Sequence, residues 1–118
     1  MSEIQYPQDV IRELASLRAQ AEQGVKVLAE AETRQVMLTL EAERKEFLAF
    51  LEAGGTVKDR EAIAGLESLE ARQAAELAKV EVSRIKTKLR QLSEAQMAVQ
   101  TSGRMVELQW KTAGVGER

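Results

Sequence analysis

Residues 45–66 read KEFLAFLEAGGTVKDREAIAGL. Within them, Ala53-Gly54-Gly55-Thr56 is the one strong helix breaker of the 118-residue chain. Gly54 or Gly55 can take the left-handed conformation that ends a helix. Thr56 then suits the N-cap of the next helix, with Asp59 three residues on, where a capping box usually has Glu or Gln. A connection this short between two long helices folds them back on each other. The expected fold is all-α: a long, coiled-coil-like antiparallel two-helix hairpin in a single domain spanning residues 1–118.

Outward from the turn, the first helix is expected over about 7–52. Pro7 fits its first turn, where a missing N–H costs nothing. No other proline occurs, and Ala, Leu, Glu, Gln, Lys and Arg dominate both arms. Glu22–Lys26, Glu30–Arg34 and Glu41–Lys45 have the spacing of helical ion pairs. The second helix is expected over about 57–110, ahead of a frayed tail at 111–118. Gly24 reads as a mild defect and Gly103 as a weak interruption.

The apolar stripes predict the packing. In the second helix Ala78, Val82, Ile85, Leu89, Leu92, Gln96, Val99, Gly103, Val106 and Trp110 alternate in steps of four and three. That is a heptad seam, with Gln96 a polar break in it. Ile63, Leu66, Leu69 and Leu77 extend it towards the turn. In the first helix Val10, Leu14, Leu17, Ala21, Val25 and Leu28 begin a stripe that Val36, Leu40, Phe47 and Leu51 resume. The drift between these sets implies local changes of register. Met37, Leu38, Leu48 and Phe50 fall off the stripe, leaving more apolar surface than two helices can cover. Self-association through the first helix is therefore expected.

Composition excludes several classes of chemistry. Histidine and cysteine are absent. There is no thiol nucleophile, no histidine acid/base pair, no disulfide and no ordinary zinc site. The Gly54-Gly55-Thr56 turn lacks the preceding strand and the Gly-Lys-Ser/Thr ending of a phosphate loop. Glu41, Glu43 and Glu46 make a poor cation cage and read as a solvated face. A non-enzyme without cofactor or metal is expected. MSEIQYPQDV has neither the basic nor the apolar region of a signal peptide, and no stretch reaches membrane-spanning length. A cytoplasmic protein without membrane contact is the expectation.

The net charge of −2 is unevenly spread. Met1–Glu76 carries fifteen acidic and nine basic residues, whereas Leu77–Arg118 carries four acidic and eight basic ones. Arg84, Lys86, Lys88 and Arg90 form the densest basic run, with Arg104 and Lys111 further on. Arg84 and Lys88 fall on one flank of the seam, Lys86 and Arg90 on the other. Two readings remain open. The run can bind phosphates, which demand cations but no fixed motif. It can equally pair with the acidic first helix as coiled-coil flank charges. Trp110, the single tryptophan, can stack on a base or pack in the seam. Phe47 and Phe50 read as packing residues, and Tyr6 as a staple for the N-terminus.

The stretch KEFLAFLEAGGTVKDREAIAGL, the Lys/Arg-rich return helix and its ending LSEAQMAVQTSGRMVELQW together resemble small all-helical proteins of tailed phages and prophages. Some of these are similar to UvsY-type recombination mediators. The resemblance spans about Pro7–Lys111. It implies an oligomer in the host cytoplasm that binds single-stranded DNA and works with a RecA-like recombinase and single-strand-binding protein. The cations at 84, 86, 88, 90, 104 and 111 would carry the DNA. The alternative is a coiled-coil adaptor, assembly chaperone or host-defence inhibitor that meets a protein partner through Met37, Leu38, Leu48 and Phe50, with Trp110 as a further oligomer or partner contact.

Overall fold

The computed structural model describes residues 6–116, with side chains described for 6–112. Its three helices are α1 (Pro7–Glu52), α2 (Val57–Glu67) and α3 (Leu69–Gly116). The fold is all-α, and the return arm of the hairpin is α2 followed by α3. Contacts divide the chain into two compact units. One comprises the described residues of Met1–Val25 and Thr87–Arg118, the other Lys26–Lys86.

The turn closes as its residues dictate. Gly55 takes the left-handed conformation, with φ +98°. The Thr56 hydroxyl accepts the Asp59 N–H at 3.2 Å, and the Asp59 carboxylate accepts the Thr56 N–H at 3.2 Å. This reciprocal box satisfies two of the donors that a helix start leaves unpaired. At the other side of the turn the Arg60 Nε donates to the Phe50 carbonyl at 3.1 Å, and its guanidinium lies 4.5 Å from the centre of the Phe50 ring. A cation thus meets an end-of-helix carbonyl, where the helix dipole is negative.

The second helix is not continuous over 57–110. It is interrupted at Ser68, and α3 runs on through Gly116 where a frayed tail was expected; residues 117 and 118 lie outside the described residues. Ser68 is fully buried. Its hydroxyl donates to the Ala64 carbonyl at 2.7 Å and accepts from Arg72 Nε at 3.2 Å. Such back-bonding by serine competes with the helical ladder. Arg72 Nη2 donates to the Gly65 carbonyl at 2.6 Å, supplying a donor at the interruption.

In the unit of Met1–Val25 and Thr87–Arg118, Val10, Leu17 and Val99 form the buried core, with Leu14, Leu92 and Ala95 against it. Gly24 and Gly103 are packing sites rather than defects. A Cβ on Gly24 would collide with the Leu89 side chain, and one on Gly103 would lie 2.7 Å from Val10 Cγ1. Each glycine is a hole that receives a knob from the opposite helix, and the pairs 10/103 and 24/89 run antiparallel.

In the unit Lys26–Lys86 the seam is built from small residues. Ala42, Ala49, Ala64, Ser68, Ala78 and Val82 are buried, while Leu28, Ala31, Gln35, Leu38, Ala71, Ala75 and Ile85 are half-buried. The three–four spacing that begins at Val10 therefore continues along α1 through 28, 31, 35, 38, 42 and 49, without the expected change of register. Of the large residues assigned to this seam, Leu28, Val82 and Ile85 lie in it and the others do not. Val36, Leu40, Phe47 and Leu51 are exposed, as are Ile63, Leu66, Leu69 and Leu77; Val25, in the other unit, is exposed as well. Helix separation depends on the side chains at the contact, and alanine and serine let the helices approach closely.

One substitution tests the knob-and-hole reading. Gly103→Ala should gain about 1 kcal/mol from helix propensity and lose about 2 kcal/mol by overpacking the stiff Val10. A net fall in urea-unfolding stability is expected. The double variant Val10→Ala/Gly103→Ala should lose less than the two single losses combined, because the alanine fills the space vacated by valine.

Candidate functional site

The cations singled out above all lie on α3 and all are exposed. Arg84 and Lys86 belong to the unit Lys26–Lys86, where they flank the seam residues Val82 and Ile85. Lys88, Arg90, Arg104 and Lys111 belong to the other unit. Among the described residues the four ion pairs each join residues three or four apart on one helix. Arg84 meets Glu81 at 3.7 Å, Arg90 meets Glu94 at 3.9 Å and Lys111 meets Glu107 at 3.5 Å. None of these partners comes from α1. Exposed pairs of this kind contribute at most a fraction of a kcal/mol each, so they are easily exchanged for another anion.

Glu41 pairs with Arg44 rather than with Lys45. Arg44 donates through Nη2 to Glu41 Oε1 at 2.7 Å and through Nε to Oε2 at 3.0 Å. This two-point hydrogen bond holds the Glu41 carboxyl below the usual carboxylate range and raises the Arg44 guanidinium in return. Among the described residues no group of three or more acidic side chains converges as a metal site. No described helix is long and apolar enough to cross a membrane.

The residues assigned to partner contact separate into two sets. Met37 and Leu48 are exposed. Leu38 and Phe50 are half-buried, the first because it occupies the seam and the second because Arg60 covers its ring. Phe47, read as a packing residue, is exposed. The apolar face that does stand free is wider than the sequence reading implied. Val36, Met37, Leu40, Phe47 and Leu51 are each between 54 and 65 % exposed and sit on the side of α1 away from the seam. Their signal lay in the heptad count. Each stands one or two places beyond a position of the three–four repeat, as Met37 does beyond Gln35, Leu40 beyond Leu38 and Leu51 beyond Ala49.

Trp110 is half exposed and does not complete the seam as a buried residue. Its ring meets Tyr6 edge-on, with centroids 5.8 Å apart and planes at 69°. The Tyr6 carbonyl also accepts the N–H groups of Asp9 and Val10, at 3.0 and 3.3 Å, so Tyr6 anchors the start of α1 to the far part of α3. Arg60, Ser68 and Arg72 were not singled out by sequence reasoning, because no motif marks a side chain that serves a backbone carbonyl.

Comparison of the chain with protein-family models, with curated proteins and with solved structures returns no match.

The aromatic pair gives a direct readout, since Trp110 is the single tryptophan. Tyr6→Ala should red-shift its fluorescence emission and lower stability by about 1 kcal/mol, the scale of an edge-to-face pair. Unchanged emission would mean that the two rings do not meet in solution.

Proposed function

We propose that the chain is a non-enzymatic protein that binds single-stranded DNA through the cations of α3, several copies acting together, and assists recombination in the manner of a mediator. One observation supports this reading. Arg84, Lys86, Lys88 and Arg90 are exposed, and the ion pairs within the run are made to Glu81 and Glu94 of the same helix rather than to the acidic α1. Flank cations committed to the opposite helix would have been neutralised by it. Phosphate contacts need no fixed geometry, and modest sites on several copies raise the overall affinity without new contacts. A RecA-like recombinase and single-strand-binding protein are the partners this role implies, and the cytoplasm is its place. The net charge of −2 makes the display of these cations in several copies essential to the reading.

A second reading is favoured by the exposed apolar face of α1. Met37 and Leu48 offer contact to a protein partner, as an adaptor, assembly chaperone or host-defence inhibitor would use them.

Fluorescence anisotropy of a labelled single-stranded oligonucleotide separates the two. Binding should be saturable and fall steeply with salt. Arg84→Glu/Lys88→Glu should weaken it at least tenfold. Losing two phosphate contacts should also make the log–log salt slope shallower by roughly 1.4, at about 0.7 per contact on single strands. No binding at low salt would overturn the DNA reading, and an unchanged affinity and salt slope in the variant would overturn the assignment to these cations.

A further inference from the structure

The outward face of α1 has an internal symmetry. Its apolar members are Val36, Met37, Leu40, Phe47, Phe50 and Leu51, with Glu43 and Arg44 between them. Val36 and Met37, Leu40, Glu43 and Arg44, Phe47, and Phe50 and Leu51 recur every three or four residues, so they line one side of the helix. Counted from the midpoint between Glu43 and Arg44, these six apolar residues pair off in both directions, whereas the exposed Leu48 stands opposite Thr39. Leu40 and Phe47 are equally distant from it, as are Met37 and Phe50, and Val36 and Leu51. The two charges at the centre are opposite.

We infer that this face is the contact between two copies of the chain, with the two α1 helices antiparallel about a two-fold axis beside residues 43 and 44. The inference deepens the multi-copy part of the proposed function and rests on that part alone. An isologous contact requires that where residue i meets residue j, j also meets i. In the antiparallel register Leu40 meets Phe47 of the other copy, Val36 meets Leu51 and Met37 meets Phe50. Glu43 meets Arg44 twice, once on each side of the axis. A parallel, in-register pair would instead set Glu43 against Glu43 and Arg44 against Arg44, which is repulsive. Charge complementarity thus selects both the occupant and the direction. Five of the six apolar residues are left exposed by the small-residue seam, and the sixth, Phe50, is half-buried under Arg60. Arg44 is already held on this face by Glu41, at 2.7 Å, so its guanidinium is placed for the second carboxylate.

Sedimentation velocity of the full chain without DNA, over a range of concentrations, tests this. The unaltered chain should show a reversible dimer. Arg44→Glu sets Glu43 against a new carboxylate and should weaken dimerisation at least tenfold. Glu43→Arg/Arg44→Glu exchanges the two charges across the axis and should restore it. Circular dichroism of each variant checks that the helices persist. A chain that stays monomeric throughout overturns the inference and assigns the face to another partner. Dimerisation that ignores Arg44→Glu, or that the double exchange fails to restore, overturns the register. Because the cations of α3 are untouched and no DNA is present, either failure is distinct from a failure of the DNA reading.

Discussion

The packing of α1 against the return helices through mostly small side chains is the constraint on which the unit Lys26–Lys86 depends. Ala42, Ala49, Ala64, Ser68 and Ala78 are buried there beside Val82, with Leu28, Leu38 and Ile85 half-buried. This packing gives up much of the hydrophobic burial that larger residues would supply, at roughly 25 cal/mol for each Å² of apolar surface. Val36, Leu40, Phe47 and Leu51 fall off the three–four repeat of the seam, and they form a second apolar face outside it.

The other unit packs in a different form. There the seam carries larger residues, Val10, Leu17 and Val99, and glycines make room for the bulkiest contacts. Both solutions leave the charged residues of α3 on its outer surface, where the ion pairs among the described residues are made to carboxylates of the same helix.

Much of this was legible in the residues. The turn, its capping box and the helix start at Pro7 follow from local chemistry that tertiary contacts do not override. The seam of α3 from Ala78 to Val106 was legible because its largest residues and its heptad positions coincide. In α1 beyond Leu28 they part company: a reading weighted by hydrophobicity follows Val36, Leu40 and Phe47, whereas the helices follow Ala31, Leu38 and Ala42. Strict three–four counting from Val10 would have found the latter. Ser68 was hidden for a related reason, since a serine in a helix-rich stretch gives no sign that it will be buried. The cations were legible as a group, but the source of their ion-pair partners, α3 rather than α1, depended on geometry.

The most direct test of the close-packed seam compares two substitutions by chemical unfolding at a concentration low enough to keep the chain monomeric. Ala64→Leu enlarges a buried seam residue and should lose about 2 kcal/mol or more by overpacking. Leu40→Gln alters the outward face and should change stability by less than about 0.5 kcal/mol, as exposed substitutions do. The reverse order, with leucine tolerated at 64 and glutamine costly at 40, would mean that the large residues form the seam and would contradict the account.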